Sequence, residues 1–363
     1  VIHEFRNLLT AYESTDFSAR LAALATVVRV QGSAYRRPGA RMFITDDGRW
    51  TGAVSGGCLE GDALRQAREV MHEGRPRVVT YDTTNDEENT FGVGLGCNGL
   101  IDILIEPIRP DDERNPLALL GRLLTERRPA AMATVVVASD AARVGQRLIL
   151  DANGDAHSTV PDRETAERLH RLTAAALTTE RSSLDALDGL TVFAEALIPD
   201  IQLLIFGAGY DVLPLVAQAK LLGWPVTVTD DCVAHLSPKK FAACDALFYA
   251  PREEVMAKLR PDRRTAAVLM THNFRYDEAV LPGLLQTDIP YIGILGPKKR
   301  GDKLAEALGG FRDSDWQRIH SPIGLDIGAE TPEEIALSIV AEIQARFNAR
   351  DGRMLRERNA PIH

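Results

Sequence analysis

Two cysteines set among glycines are the residues of this sequence best placed to do chemistry. Cys58 lies in Ser55-Gly56-Gly57-Cys58-Leu59-Glu60-Gly61-Asp62, and Cys97 lies in Gly92-Val93-Gly94-Leu95-Gly96-Cys97-Asn98-Gly99. Glycine leaves backbone N–H groups open to a ligand, so Gly56, Gly57 and Gly96 are candidate binding positions beside the two thiols. Leu59, Ala63, Ala67 and Val70 share one helical face, which predicts a helix over residues 58–72. A thiol at its first residue would sit at the end of the helix dipole that favours thiolate. Two such cysteines are expected to share a functional role, with packing as small buried hydrophobes the alternative. Cys232 and Cys244 have no such setting and read as structural. Four cysteines in all are too few for a disulfide scaffold and too widely spaced for a zinc ribbon.

Anion binding is the second chemistry the residues suggest. The segment Gly32-Ser33-Ala34-Tyr35-Arg36-Arg37-Pro38-Gly39-Ala40-Arg41-Met42 sets Arg36, Arg37 and Arg41 among glycines, where guanidinium forks and backbone amides can converge on a phosphate. Further on, an apolar run over 201–206 leads straight into Gly207-Ala208-Gly209-Tyr210-Asp211. Strand, glycine turn and helix form the context of a nucleotide site: Gly207 for the turn, Gly209 for approach of a pyrophosphate, and Asp230 or Asp231 for a ribose hydroxyl. Val212 replaces the third glycine of that fingerprint, and Asp211 puts a carboxylate beside the phosphate position. NAD(P) or another nucleotide is one expected ligand, and a sheet that binds none is the alternative. His272 with Asn273, and Lys298-Lys299-Arg300, follow predicted strands, at the end where open α/β sheets bind ligands.

The elements that must position these residues fall into three stretches. Residues 1–115 alternate glycine loops with short apolar runs, including strands over 21–30 and 100–106. Residues 116–199 show helices over 117–127 and 163–177 and strands over 131–138 and 147–150. They carry no recognisable chemistry and read as a connector packed on the first domain. Residues 200–363 alternate apolar strands with helices, the pattern of a doubly wound parallel sheet. Thr331-Pro332-Glu333-Glu334 is a capping box with Pro at the first helical position, opening a last helix that most simply packs on the core. The fold class expected is α/β, with an N-terminal glycine-loop domain and a C-terminal Rossmann-like domain. No internal repeat is evident.

Composition narrows the function. A net charge of −9 argues against nucleic acid as a partner. No apolar stretch approaches the ~20 residues needed to span a bilayer, and no signal-like start is present, so a cytoplasmic protein is expected.

Together the quoted segments resemble the XdhC/CoxI family of accessory proteins for xanthine dehydrogenase and related molybdenum hydroxylases. The glycine–arginine and two glycine–cysteine loops and Phe206-Gly207-Ala208-Gly209 carry the resemblance. So do Thr271-His272-Asn273, Gly293-Ile294-Leu295-Gly296-Pro297-Lys298-Lys299-Arg300 and Pro322-Ile323-Gly324-Leu325-Asp326-Ile327-Gly328-Ala329. The resemblance implies a protein that binds molybdenum cofactor (molybdopterin), supports its sulfuration and delivers it to an apo molybdenum hydroxylase. The sulfur would come from a partner cysteine desulfurase. It implies a chaperone rather than a stand-alone enzyme. The cysteine-bearing loops of the family align with Cys58 and Cys97, which the resemblance implies as thiols for a soft or sulfur-exchanging centre in contact with the cofactor molybdenum, and a homodimer is expected. The alternative is an NAD(P)-dependent oxidoreductase.

Overall fold

The computed structural model describes residues 2–82, 99–112, 114–123 and 127–359. Gly96 and Cys97 lie outside the described residues. The chain divides into two compact units, Val1–Pro199 and Asp200–His363.

The first unit is one supersecondary pattern written twice. Its first copy runs α1 (Ile2–Glu13), β1 (Ala22–Gly32), β2 (Arg41–Thr45), β3 (Trp50–Gly52), α2 (Glu60–Glu73), β4 (Arg77–Asp82) and β5 (Gly99–Ile108). The second runs α3 (Pro116–Leu123), β6 (Ala130–Ala138), β7 (Arg147–Leu150), β8 (Ala156–Ser158), α4 (Arg163–Thr179), β9 (Ser183–Leu187) and β10 (Leu190–Leu197). The five-stranded antiparallel sheets have the orders β3-β2-β1-β5-β4 and β8-β7-β6-β10-β9. The correspondence reaches single residues. β1 has an extra residue against β5 at Val28, and β6 has one against β10 at Val136. Those two valines meet Leu104 and Phe193 in one small core cluster, and leucines of α3 join Ile2, Phe5 and Leu8 of α1 in another.

The stretch over 116–199 is thus not a connector but a second copy with its own sheet. One stretch of the repeat is visible in the sequence: Ala22-Ala23-Leu24-Ala25-Thr26-Val27-Val28 and Ala130-Ala131-Met132-Ala133-Thr134-Val135-Val136 differ only at Leu24 and Met132, while the loops between strands differ in length and content and hide the rest.

The second unit begins with β11 (Gln202–Phe206), α5 (Val212–Leu221), β12 (Val226–Asp230), β13 (Ala246–Tyr249), α6 (Val255–Lys258) and β14 (Thr265–Leu269). It continues with α7 (Phe274–Leu285), β15 (Tyr291–Ile294), α8 (Lys298–Ala307), α9 (Asp313–Trp316), β16 (Ile319–His320) and α10 (Pro332–Phe347). All six strands are parallel, in the order β13-β12-β11-β14-β15-β16. α5 and α10 cover one face and α6, α7 and α8 the other, so this is the doubly wound Rossmann-like sheet that the alternating pattern predicts. Its topological switch point lies between β11 and β14, whose onward connections wind to opposite sides. α10 starts at the capping box: Thr331 Oγ1 accepts from Glu334 N, and the Glu334 carboxylate accepts from Thr331 N.

Candidate functional site

Antiparallel registers gather the glycine-rich segments of the first copy at one end of its sheet. Gly32 pairs with Gly99, Met42 with Gly52, and Asp82 with Leu100. The turn over 33–40 and the turn over 53–59 therefore leave the sheet together, and β4 ends beside them. Contact bears this out: a Cβ on Gly56 would stand 3.4 Å from Tyr35 Cγ, with Tyr35 itself 72% exposed.

The Cys58 turn is built on a serine and a glutamate that sequence reasoning passed over. Glu60 is buried, and its Oε1 accepts from Ser55 N at 2.8 Å and Val54 N at 3.2 Å. Ser55 donates its hydroxyl to Glu60 Oε2, while Ser55 Oγ accepts from Gly57 N at 3.1 Å and Leu59 N at 3.0 Å. The Cys58 thiol, half-buried and free, points to the same Oγ at 3.5 Å. Burial pushes the Glu60 carboxyl up, but the hydroxyl and amide donors outweigh it and hold its pKa below the usual glutamate value. Because Glu60 closes the turn, α2 begins at Glu60 with Leu59 as its N-cap. Cys58 thus precedes the helix instead of opening it. Gly57 has φ +112° and, among the described residues, nothing within 4 Å of the place a Cβ would take, so none of them blocks a ligand's approach to the backbone there.

The three arginines of the glycine loop do not converge. Arg36 Nη2 donates to Glu4 Oε2 at 2.6 Å. Arg41, at 2% side-chain exposure, forks onto Glu195 at 2.9 and 2.5 Å. That buried, bidentate pair removes Arg41 from the anion-reading set, because freeing it would strand Glu195. Arg37 is exposed and has no ion pair among the described residues, so of the three it alone is available to a ligand.

At the switch point, Gly207 has φ +107° and a Cβ there would stand 2.4 Å from Met270 O, so only glycine lets β11 turn beside the end of β14. Asp230, the first of the two ribose candidates, is engaged by the protein itself. It is buried, and it accepts from Ala208 N and Cys232 N, both at 2.8 Å, and meets His235 Nδ1 at 3.2 Å. Asp231 is paired with Arg252 at 2.5 Å. Asp211 crowds Gly209, whose Cβ would stand 2.4 Å from Asp211 Oδ1, and reaches across to His272 Nε2 at 2.8 Å. His272 adopts φ +53°, a conformation L-residues avoid. Behind it the Thr271 hydroxyl donates to Asp277 Oδ1 at 2.6 Å, and Arg300 donates to Asp277 Oδ2 at 3.0 and 2.5 Å. Burial raises the Asp277 carboxyl despite those donors. Asn273 caps α7 by accepting from Arg275 N and Tyr276 N.

Residues 18–82 match the XdhC and CoxI family, and residues 203–343 match the XdhC Rossmann domain. A Bacillus subtilis (strain 168) protein described as a probable xanthine dehydrogenase subunit is 32% identical over 329 residues, covering 89% of this chain and 92% of its own length. The chain belongs to the XdhC and CoxI family. The molybdenum cofactor insertion chaperone PaoD of Escherichia coli (strain K12) is 27% identical over 344 residues, 94% of this chain and 88% of its own. A crystal structure described as a xanthine dehydrogenase from Bacillus halodurans superposes with a TM-score of 0.79 at 30% identity and 96% coverage of each chain. In this XdhC/CoxI chain the first family match contains the arginine loop and the Cys58 turn, and the second contains the switch point. Ser55 and Glu60 were missed because their spacing is not the Ser-x-x-Glu of a capping box. Among the described residues no helix is long and apolar enough to cross a membrane, and no group of three His, Cys, Asp or Glu could hold a metal ion.

Proposed function

We propose that this chain is a maturation chaperone that takes molybdenum cofactor as cargo and passes it to an apo molybdenum hydroxylase. The observation that carries the reading is the Cys58 turn: a half-buried thiol beside Gly57, whose backbone none of the described residues blocks. End-to-end likeness to an insertion chaperone supports it. The donor set fits the cargo in kind. A thiol suits a soft centre, and the free Arg37 guanidinium suits the pterin phosphate. The finer steps of the proposal are support of sulfuration, with a cysteine desulfurase as sulfur donor, and release to a xanthine dehydrogenase-type client from a homodimer. Nicotinamide chemistry has less support, because Asp230 and Asp231 already have protein partners and Asp211 sets a carboxylate where a pyrophosphate would lie.

The test is the molybdenum and pterin content of the chain purified after co-expression with a molybdenum hydroxylase. Near-stoichiometric cargo in the unaltered protein, strongly reduced in Cys58→Ala, is expected. Equal cargo in both would remove the thiol from the proposal, and cargo in neither would remove the chaperone reading.

A further inference from the structure

We propose that the first unit binds one buried water molecule at the centre of its internal duplication, between Arg41 and Arg147. The two arginines are equivalent. Arg41 pairs in register with Thr26 of β1, and Arg147 with Thr134 of β6. Each reaches into the other copy: Arg41 to Glu195 on β10, and Arg147 to Glu106 on β5. Each also donates Nη1 to the carbonyl two residues earlier, Gly39 O at 2.9 Å and Gly145 O at 2.6 Å, and Arg147 Nη1 reaches Arg114 O as well. Each terminal nitrogen is thus occupied at least once.

The Nε atoms are not. Both side chains are all but fully enclosed, at 2% and 3% exposure, and in both the Nε has no acceptor among the described residues. A buried N–H of a charged group without an acceptor is disfavoured enough that one is normally supplied. The space for an acceptor exists. Both arginines line a cavity of about 10 Å³ together with Thr26, Thr134 and Glu106, close to the smallest volume that admits one water.

The chemistry selects a neutral ligand that accepts twice. Two guanidiniums face two carboxylates, so no surplus positive charge draws an anion into the cavity. What is unserved is a pair of N–H donors placed alike on either side of a pseudo-two-fold. A water oxygen accepts two hydrogen bonds, and its two protons can go to the Thr26 and Thr134 hydroxyl oxygens, which stand in equivalent positions. A halide could also accept from two N–H groups but would bring uncompensated charge, so the experiment must separate the two.

The test is a crystal structure of the full chain at a resolution that shows ordered waters, with a second data set from a crystal soaked in bromide. One peak within hydrogen-bond distance of both Nε atoms, with no anomalous signal after the soak, is expected. An empty cavity, a peak bonded to only one of the arginines, or a bromide signal at that place would each overturn the proposal.

Discussion

Arg41 of β2 and Glu195 of β10 form a buried, two-pronged ion pair that joins the two copies of the duplicated unit, and Arg147 with Glu106 is its counterpart in the opposite sense, through one hydrogen bond. Gly39 and Gly145 make room for these carboxylates. Their φ values are +95° and +86°, and a Cβ on either would fall 2.6 or 2.9 Å from a glutamate oxygen. The pairs therefore help fix how one sheet lies on the other.

Removing one partner should be costly, because it leaves the other charge buried and alone. Arg41→Ala and Arg147→Ala should each lower stability by about 3–5 kcal/mol. The paired change Arg41→Met with Glu195→Leu should cost far less, since neither charge is then stranded. Urea unfolding of the full chain followed by circular dichroism measures both. A single-alanine loss below about 1 kcal/mol would show that solvent reaches the pair.

The turn around Cys58 makes a separate prediction. Glu60→Gln replaces an acceptor of three donors with an amide that cannot serve them all, and Ser55→Ala removes the hydroxyl that receives Gly57 N, Leu59 N and the thiol. Each should loosen the turn at a cost of about 1–3 kcal/mol. Alkylation of Cys58, followed by mass spectrometry of its peptide so that the other cysteines do not interfere, should then become faster in both variants. An unchanged rate would mean that Ser55 and Glu60 do not set the exposure of the thiol.

The contrast between these two regions shows what the sequence could reveal. The second unit was legible because parallel strands buried on both faces are continuous apolar runs, and Gly207 after such a run has few other readings. The Cys58 and arginine loops could be found from composition, but not the division of labour among the arginines. That division depends on Glu4 and Glu195, which lie 32 and 154 residues from their partners. The partners of Asp230 were hidden for a similar reason: Ala208 N and Cys232 N belong to backbone whose path only the fold supplies.

Two glycines with similar φ, +112° at Gly57 and +107° at Gly207, should respond differently to alanine. At Gly57 the added methyl meets none of the described residues, so Gly57→Ala carries only the left-handed penalty of about 1–2 kcal/mol. At Gly207 the methyl would also press on Met270 O at 2.4 Å, so the loss should exceed that of Gly57→Ala by several-fold in the unfolding constant. Cargo content should reverse the order per folded molecule: Gly57→Ala should retain less molybdenum and pterin than Gly207→Ala. Equal stability losses would mean that the turn after β11 can open away from β14.

The last prediction concerns pH and Glu342, on α10. This carboxylate receives the Tyr291 hydroxyl, Gly324 N at 2.8 Å and His320 Nδ1 at 3.2 Å, tying the loop after β16 to β15 and α10. Burial pushes its pKa up, but the His320, Tyr291 and Gly324 donors outweigh burial and hold it below the usual glutamate value. A carboxylate depressed in the folded state adds stability that is complete above its unfolded pKa of about 4.3 and is lost as pH falls through the lower folded value. Glu342→Gln should therefore be less stable than the unaltered chain by about 1–3 kcal/mol near pH 7. That gap should stay level down to about pH 5 and close as pH falls below about 4. Urea unfolding across this series measures it. A gap that stays constant to the lowest pH at which the protein folds would show that the shape of the Glu342 side chain, and not its charge, secures the loop.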